Sequence, residues 1–129
     1  SGSLNDGLAR SVTNLAEVER RLGNYSAAIE QGERALKIRI ASVGIEHPEV
    51  ADTLVVLALA HRDRGDFKRA RELAEDALAR LQRDFAPDHP LVFNAQVTLA
   101  LIQESQGETK EASARVVAAL AAARDDHID

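Results

Sequence analysis

The sequence predicts an all-α fold, an α-solenoid of three stacked helix-turn-helix units. The first observation is a repeat, because Gly23, Gly65 and Gly107 lie 42 residues apart and several other columns share that offset. A period in this range is typical of stacked supersecondary units. The second observation is composition: 45% of residues are hydrophobic, only 3% are aromatic, and Gly (7) and Pro (3) are scarce. Such a chain favours helix and builds its core from Ala, Leu, Val and Ile.

Each column of the repeat has a predicted structural role. Leucines followed by alanines lie in the first helix of each unit, glycines lie at the turn, and small alanines in the second helix let two helices approach closely. We interpret residues 1–3 as an expression-tag remnant, so that residues 4–129 form one domain with units at about 4–45, 46–87 and 88–129. The structural positions are Leu15, Leu57 and Leu99, then Gly23, Gly65 and Gly107, and finally Ala28, Ala70 and Ala112.

Local signals place the two helices of the middle unit. Pro48 can begin the first helix, since the N–H that proline lacks is not needed in the first turn. Gly65 can end that helix in a left-handed conformation, and Asp66 can cap the second helix. Apolar residues recur at helical spacing in both helices, and the turn-forming segment 86–90 leads into the third unit.

The Leu-Ala pair, the Gly-x-Tyr/Phe turn and the alanine columns resemble the tetratricopeptide repeat, a helix-turn-helix unit usually of about 34 residues. The longer period, with His47-Pro48 and His89-Pro90 between units, is similar to the variant found in kinesin light chains. The resemblance covers nearly the whole chain. It implies a right-handed superhelical segment whose first helices line a concave groove.

The third unit departs most from this pattern. We therefore expect its turn to be the weakest of the three and the one most dependent on a neighbour. Thr109 stands where Phe67 was, Gln96 where Val12 and Leu54 were, Arg115 where Leu73 was, and His127 where Val43 and Phe85 were.

Charge and composition exclude several functions. A formal net charge of −5 argues against nucleic-acid binding, which needs a cationic surface to neutralise phosphates. Without cysteine there is no disulfide and no thiolate metal site or nucleophile. No apolar run approaches the length of a membrane span, so we expect no membrane partner. The compartment is left open by the sequence, with the cytoplasm as the expectation.

His61-Arg62-Asp63 matches the opening of a protein-kinase catalytic loop. In that motif the position that requires Asn is here Lys68, and Arg64 replaces the Leu. A chain of 129 residues is also too short for the two lobes of a kinase. We therefore interpret the three residues as the end of a first helix, with His61 packed and the other two solvated.

His47 and His89 occupy equivalent positions, each directly before a proline. Two imidazoles without carboxylate or thiolate partners are poor metal ligands, so we interpret each as fixing the turn ahead of its proline. No spacing joins a nucleophile to a base and an orienting group. We predict that the chain is not an enzyme and has no catalytic residues, no metal and no cofactor.

The resemblance implies a non-catalytic interaction scaffold, expected to be part of a larger protein, that binds a protein or peptide segment in its groove. A partly apolar floor suits an extended or helical segment with apolar anchors, and Arg10 and Arg21 would favour acidic flanks. The expected groove residues are Arg10, Asn14, Glu17 and Arg21 in the first unit, Val55, Val56 and Leu59 in the second, and Asn94, Val97, Thr98 and Leu101 in the third.

Comparison within the resembling families narrows the expected ligand. In kinesin-light-chain-like repeats an Asn before the Leu-Ala pair holds the backbone of a bound peptide; Asn14 keeps it, whereas Val56 and Thr98 do not. Chaperone-binding repeats clamp a C-terminal carboxylate with cationic side chains. The matching positions here contain no cation, so the resemblance argues against a receptor for chaperone tails.

The alternative function is structural. Val116, Val117 and Leu120 give the last helix an apolar face. If nothing covers that face, it can pair with its own copy in a two-fold dimer or in a head-to-tail stack. The alternative is therefore a homo-oligomerising module that self-associates through its last helix.

Overall fold

The computed structural model describes the backbone of residues 2–125 and the side chains of residues 4–124. This range contains six α-helices and no strand, which confirms the all-α solenoid of three two-helix units. His127, one of the predicted departures, lies outside the described residues. The helices are α1 Gly2–Arg21, α2 Tyr25–Val43, α3 Pro48–Arg64, α4 Phe67–Asp84, α5 Pro90–Ser105 and α6 Thr109–Asp125.

The turn between the two helices of each unit has the same geometry. Gly23, Gly65 and Gly107 have φ values of 85°, 95° and 85°, in the left-handed region that favours glycine. In the middle unit Asp66 caps α4, because its carboxylate accepts a hydrogen bond from the N–H of Arg69 at 3.3 Å. The 42-residue spacing of glycines therefore reflects a repeated backbone requirement.

The connections between units end in histidine caps, as predicted for His47 and His89. The Nδ1 atoms of these two side chains accept hydrogen bonds from the N–H groups of Glu49 and Leu91, each at 3.1 Å. Proline follows each histidine as the first residue of the helix, where its missing N–H leaves no bond unmade. Each histidine thus fixes the start of the first helix of its unit.

The units stack more closely on one side than on the other. The first helices contact each other in sequence, α1 with α3 and α3 with α5. Within the described chain the backbones of the second helices α2, α4 and α6 lie farther apart, with no pair of Cα atoms within 8 Å between any two of them. The stack therefore curves, with α1, α3 and α5 on its inner face.

The junctions between units depend on the leucine column. Leu57 packs on Gly32 of the preceding unit so closely that a Cβ at Gly32 would lie 2.6 Å from a Leu57 methyl carbon. Leu57 and Leu99 are each only 2% exposed, as expected. Leu15 is instead 42% exposed, because no helix of the described chain precedes α1 to cover it. Its expected packing role is therefore not seen.

Gln96 and Arg115, two residues at which the third unit departs from the repeat pattern, are hydrogen-bonded to each other. Arg115 donates a hydrogen bond from Nη1 to the side-chain oxygen of Gln96 (2.6 Å) and another from Nε to that of Gln103 (2.9 Å). The polar residues Gln96 and Arg115 thus satisfy each other's hydrogen bonds between α5 and α6.

No helix in the described part of the chain is long and apolar enough to cross a membrane.

Candidate functional site

The inner face of the solenoid carries a polar column. Arg10, Asp52 and Asn94 occupy the same position in the three first helices, and all three side chains are exposed. They line one recess of about 310 Å³, which therefore reaches across all three units. Val55 and Leu91 contribute apolar wall to the same recess. The repeat thus brings side chains from distant parts of the sequence to a single site.

Arg39 also lines this recess, although it was not among the expected groove residues. The side chain is only 4% exposed, and its Nη1 donates to the carbonyl of Glu49 and the hydroxyl of Thr53, each at 2.8 Å. The same Nη1 lies 3.3 Å from the carboxylate of Asp52. Nε has no hydrogen-bond partner among the described residues, and a buried donor of this kind gains from a further acceptor.

Arg39 is not a repeated residue, because its column contains Leu81 in the middle unit and Ala123 in the third. A single arginine among apolar counterparts is the one signal that could have found it. In the structure Leu81 lines the recess beside it. The two second-helix residues therefore contribute one charge and one apolar surface to the same site.

A chain of polar contacts joins the units near the ends of the first helices. Arg20 of α1 lies 2.7 Å from the carboxylate of Asp63 in α3, and Arg62 of α3 donates to the hydroxyl of Ser105 in α5 at 2.9 Å. The side chain of Asp63 is 16% exposed. The prediction that Arg62 and Asp63 are solvated is therefore wrong, because both side chains bridge neighbouring units.

Glu17 and Arg21, two of the expected groove residues, are ion-paired with each other. The carboxylate of Glu17 lies 3.1 Å from Arg21 and 2.6 Å from Arg20. Partial burial opposes the charged form of Glu17, but the hydrogen bonds and charges of the two arginines outweigh it and lower the pKa of this carboxyl. The pKa of Arg20 is raised, mainly by its hydrogen bond to Glu17. A ligand at this end of the groove meets a charge network that is already paired.

The expected apolar floor is not continuous. Val55 belongs to the buried core, and Val56 and Leu59 are half-buried. Leu101 is exposed, and with Val97 it lines a separate cavity of about 360 Å³ between α5 and α6. The apolar surface therefore divides into a recess in the middle of the groove and a cavity at its C-terminal end.

The reason for this division is the direction in which one column points. Thr13 of α1 has its hydroxyl oxygen 3.4 Å from that of Thr53 in α3, so this column lies between successive first helices. Val55 and Val97 are the counterparts of Thr13 in the next two units. Val55 is accordingly buried between units while it also lines the recess, and Val97 lines the cavity between α5 and α6.

Asn14, which is expected to hold a peptide backbone, and the groove candidate Asn94 are both accessible. Asn14 and Asn94 are both exposed on first helices. Thr98 is buried instead, and its hydroxyl donates to the backbone carbonyl of Asn94 at 2.9 Å. Both amides are therefore open to solvent and Asn94 lines the recess, whereas the hydroxyl of Thr98 is bonded within its own helix.

The last helix leaves apolar side chains uncovered. Val117 is 63% exposed and Leu120 is 46% exposed, and Val116 lines the cavity between α5 and α6. Leu78, the counterpart of Leu120 in the middle unit, is buried at 6% exposure.

Among the described residues no group of three or more His, Asp or Glu side chains is placed to hold a metal ion.

A curved stack of helix pairs with a recessed inner face defines an α-solenoid repeat protein. The model of the tetratricopeptide repeat matches residues 7–83, more than half of the chain. The chain belongs to the tetratricopeptide repeat family. Repeats of this family mediate protein–protein interaction, and their fold is typically non-catalytic.

Solved structures of similar fold include the following two. One is BtubC (BKLC) from P. vanneervenii, with a TM-score of 0.82 and 26% identity over 94% of this chain and 48% of that one. The other is a kinesin-light-chain-like protein of Podosopora anserina with nearly identical TPR-like repeats, with a TM-score of 0.80 and 24% identity over 94% of this chain and 57% of that one. The chain thus spans about half the length of these structures. No protein of curated function matches its sequence.

Proposed function

We propose that this chain is a non-catalytic scaffold that binds an extended or helical protein segment along its inner face. The observation that carries the proposal is the recess spanning all three units between Arg10, Asp52 and Asn94. Its volume of about 310 Å³ suits one apolar side chain of a ligand, with Val55 and Leu91 as the apolar wall. The exposed amides of Asn14 and Asn94 are suited to hydrogen bonds with the backbone of that segment.

The charges around the recess favour one class of segment. Arg10 is exposed, and the buried Arg39 retains an unpaired Nε. An acidic side chain next to the apolar anchor would supply an acceptor to the exposed guanidinium of Arg10, and the charge of Arg39 behind it would add a longer-range attraction. Asp52 already lies 3.3 Å from Arg39, so a bound acid adds to an existing pair and the expected preference is moderate. The preferred ligand is therefore an apolar residue flanked by an acid.

The test is selection from a displayed random-peptide library, followed by measurement of Kd for the selected peptides by fluorescence anisotropy. The selected peptides should share an apolar residue with a neighbouring acid. Asn94→Ala and Leu59→Glu should each weaken binding about 10-fold, since central interface contacts typically contribute 1–2 kcal/mol. Arg10→Glu should shift the preference from acidic to basic flanks.

The matched control is Lys68→Gln, which changes the net charge as much as Leu59→Glu does but lies at an exposed position of α4. It should bind the selected peptides as the unmodified chain does. Circular dichroism should show equal helix content in all variants. Failure to select any peptide, or equal Kd values for the inner-face variants and the control, would contradict the proposal.

The second candidate function is self-association through α6. It is favoured by the exposure of Val117 and Leu120, because contiguous exposed apolar surface usually marks an interaction site. Light scattering over a concentration series tests it: a constant monomer mass would exclude this function and leave the groove proposal untouched.

A further inference from the structure

The first helix presents an unpartnered apolar face at the opposite end of the stack from α6. Leu8, Leu15, Val18 and Leu22 recur at heptad-like spacing and are 42–68% exposed. We name these four residues the N-terminal face. Helical side chains spaced by three, four and seven residues lie on one side of a helix, so the four form a single stripe. The stripe is too apolar to be ordinary solvent-exposed surface.

Three of these four positions are buried in the other two units, whereas the position of Leu22 holds the exposed Arg64 and Gln106. Val50, Leu57 and Ala60, the counterparts in α3 of Leu8, Leu15 and Val18, are at most 2% exposed. The preceding second helix covers them, as the close approach of Leu57 to Gly32 shows. The N-terminal face therefore has the side-chain pattern with which a first helix docks on a preceding unit.

The other end of the stack offers the complementary surface. Val97, Leu101, Glu104, Val116 and Val117 line the cavity of about 360 Å³ between α5 and α6, and we name them the C-terminal face. In the middle unit the corresponding surface of α3 and α4 is covered by α5. The C-terminal face is thus the surface on which a first helix packs at each junction inside the chain.

We propose that the N-terminal face of one copy docks on the C-terminal face of another, so that copies stack head to tail. This inference rests on the second candidate function and names its partner surface, α1 of another copy. Head-to-tail docking covers both apolar faces, whereas two-fold pairing of α6 would leave the stripe on α1 exposed. Such a contact is heterologous and does not close, so the assembly grows beyond the dimer.

Charge complementarity supports the same register. At the first internal junction Arg20 pairs with Asp63 at 2.7 Å, and at the second Arg62 binds Ser105 at 2.9 Å. The next pair in this series joins Glu104 of one copy to Arg21 of the following copy. These two residues have opposite charges, and both are exposed. Compared with the first junction, the acid and the base have exchanged places. Arg21 lies 3.1 Å from Glu17 of its own helix, so Glu104 would be a second acid beside it.

One position makes the contact between copies weaker than the contacts inside the chain. At the first junction Leu57 packs on Gly32 of the preceding second helix. The position of Gly32 is occupied by Ala74 in the second unit and by Val116 in the third. The bulkier Val116 keeps an incoming Leu15 farther out than Leu57 sits on Gly32. The stack therefore forms reversibly and depends on concentration.

The experiment uses two variants, each with one blocked face. Leu15→Glu blocks the N-terminal face and Val117→Glu blocks the C-terminal face, and both substitutions are at exposed sites. By light scattering, the unmodified chain should gain mass with concentration past the dimer. Each variant alone should be monomeric, and an equimolar mixture should form a heterodimer that grows no further, because only one pair of intact faces remains.

The outcomes separate the two self-association modes. A monomeric unmodified chain would overturn both the inference and the second candidate function. Dimers of Leu15→Glu alone would show two-fold pairing through α6, which overturns the inference but supports that candidate. Circular dichroism and thermal unfolding of both variants establish that a monomer result reflects a blocked face rather than unfolding.

A charge exchange tests the register independently. Arg21→Glu should weaken association roughly five-fold, and so should Glu104→Arg, since each places like charges together at the edge of the contact. The double variant Arg21→Glu/Glu104→Arg should restore the affinity of the unmodified chain. If the double variant associates no more tightly than the weaker of the two single variants, the proposed register is overturned.

Discussion

The middle and third units place different chemistry at the same positions between their two helices. In the middle unit Leu54 and Leu73 belong to the buried hydrophobic core. In the third unit the same two positions hold Gln96 and Arg115, which are half-buried and hydrogen-bonded to each other at 2.6 Å. Burial of an aliphatic side chain stabilises by roughly 1.5–3 kcal/mol, whereas a hydrogen bond contributes about 1 kcal/mol net. The middle unit is therefore the better-packed of the two.

A third position continues the contrast. His61 of the middle unit is buried without a hydrogen bond at Nδ1, and the carboxylate of Asp66 lies 3.6 Å away, too far to accept one. Its counterpart Gln103 is also buried, but it accepts a hydrogen bond from Arg115 at 2.9 Å. A helix pair can thus be joined by apolar burial or by a paired polar set, and in each case the residues change together. Three predictions, based on substitutions that exchange or remove these residues, sharpen the comparison.

The largest effect is expected from Leu73→Ala. Leu73 is 5% exposed in the core, so truncation loses burial and leaves a cavity, and the free energy of unfolding should fall by about 3 kcal/mol. Urea unfolding followed by circular dichroism measures this. The matched substitution Arg115→Ala in the third unit should cost less, about 2 kcal/mol, because that side chain is only half-buried and the loss is mainly that of its hydrogen bonds to Gln96 and Gln103. Equal losses at the two positions would contradict the difference in packing.

An intermediate effect is expected from moving the leucines into the third unit. Arg115→Leu alone should lower the free energy of unfolding by about 1–2 kcal/mol, because Gln96 and Gln103 then lose their donor. Adding Gln96→Leu should recover most of this loss, since both positions then carry the residues of the middle unit. A double-mutant cycle measures the coupling, and strictly additive losses would show that the two residues act independently.

The smallest effect is a pH dependence centred on His61. Burial is the main cause that lowers the pKa of this imidazole below its ordinary 6.5; the nearby carboxylate of Asp66 acts in the opposite direction, and Arg64 and Arg69 reinforce the lowering. As the pH falls through 6.5 the unfolded chain takes up the proton first. The free energy of unfolding should therefore fall below that pH and level off below the folded-state pKa.

His61→Gln is the control for this prediction, because it installs the residue that the third unit has at this position. Unfolding free energies of the two proteins should be compared at intervals between about pH 8 and about pH 5. The difference between the two proteins should change with pH in that window. A constant difference would show that the imidazole of His61 contributes nothing to the pH dependence.

Much of this architecture could be predicted from the sequence because its causes are local. Glycine supplies the left-handed turn, proline tolerates the first helical position, and a histidine before it caps the helix. Each of these effects involves residues only a few positions apart, so a 42-residue period reveals all three units at once. The polar column of Arg10, Asp52 and Asn94 follows from the same period.

The sequence by itself thus determined where helices begin and end and how many units there are. Tertiary structure alone decided which of three equivalent residues is covered. Leu15, Leu57 and Leu99 are identical in type and register, yet only Leu15 is exposed, because burial depends on whether a neighbouring helix packs on the residue. The pairing of Arg20 with Asp63 and the burial of Arg39 likewise depend on distances between separate helices. A local pattern contains no information on those distances until the units are stacked.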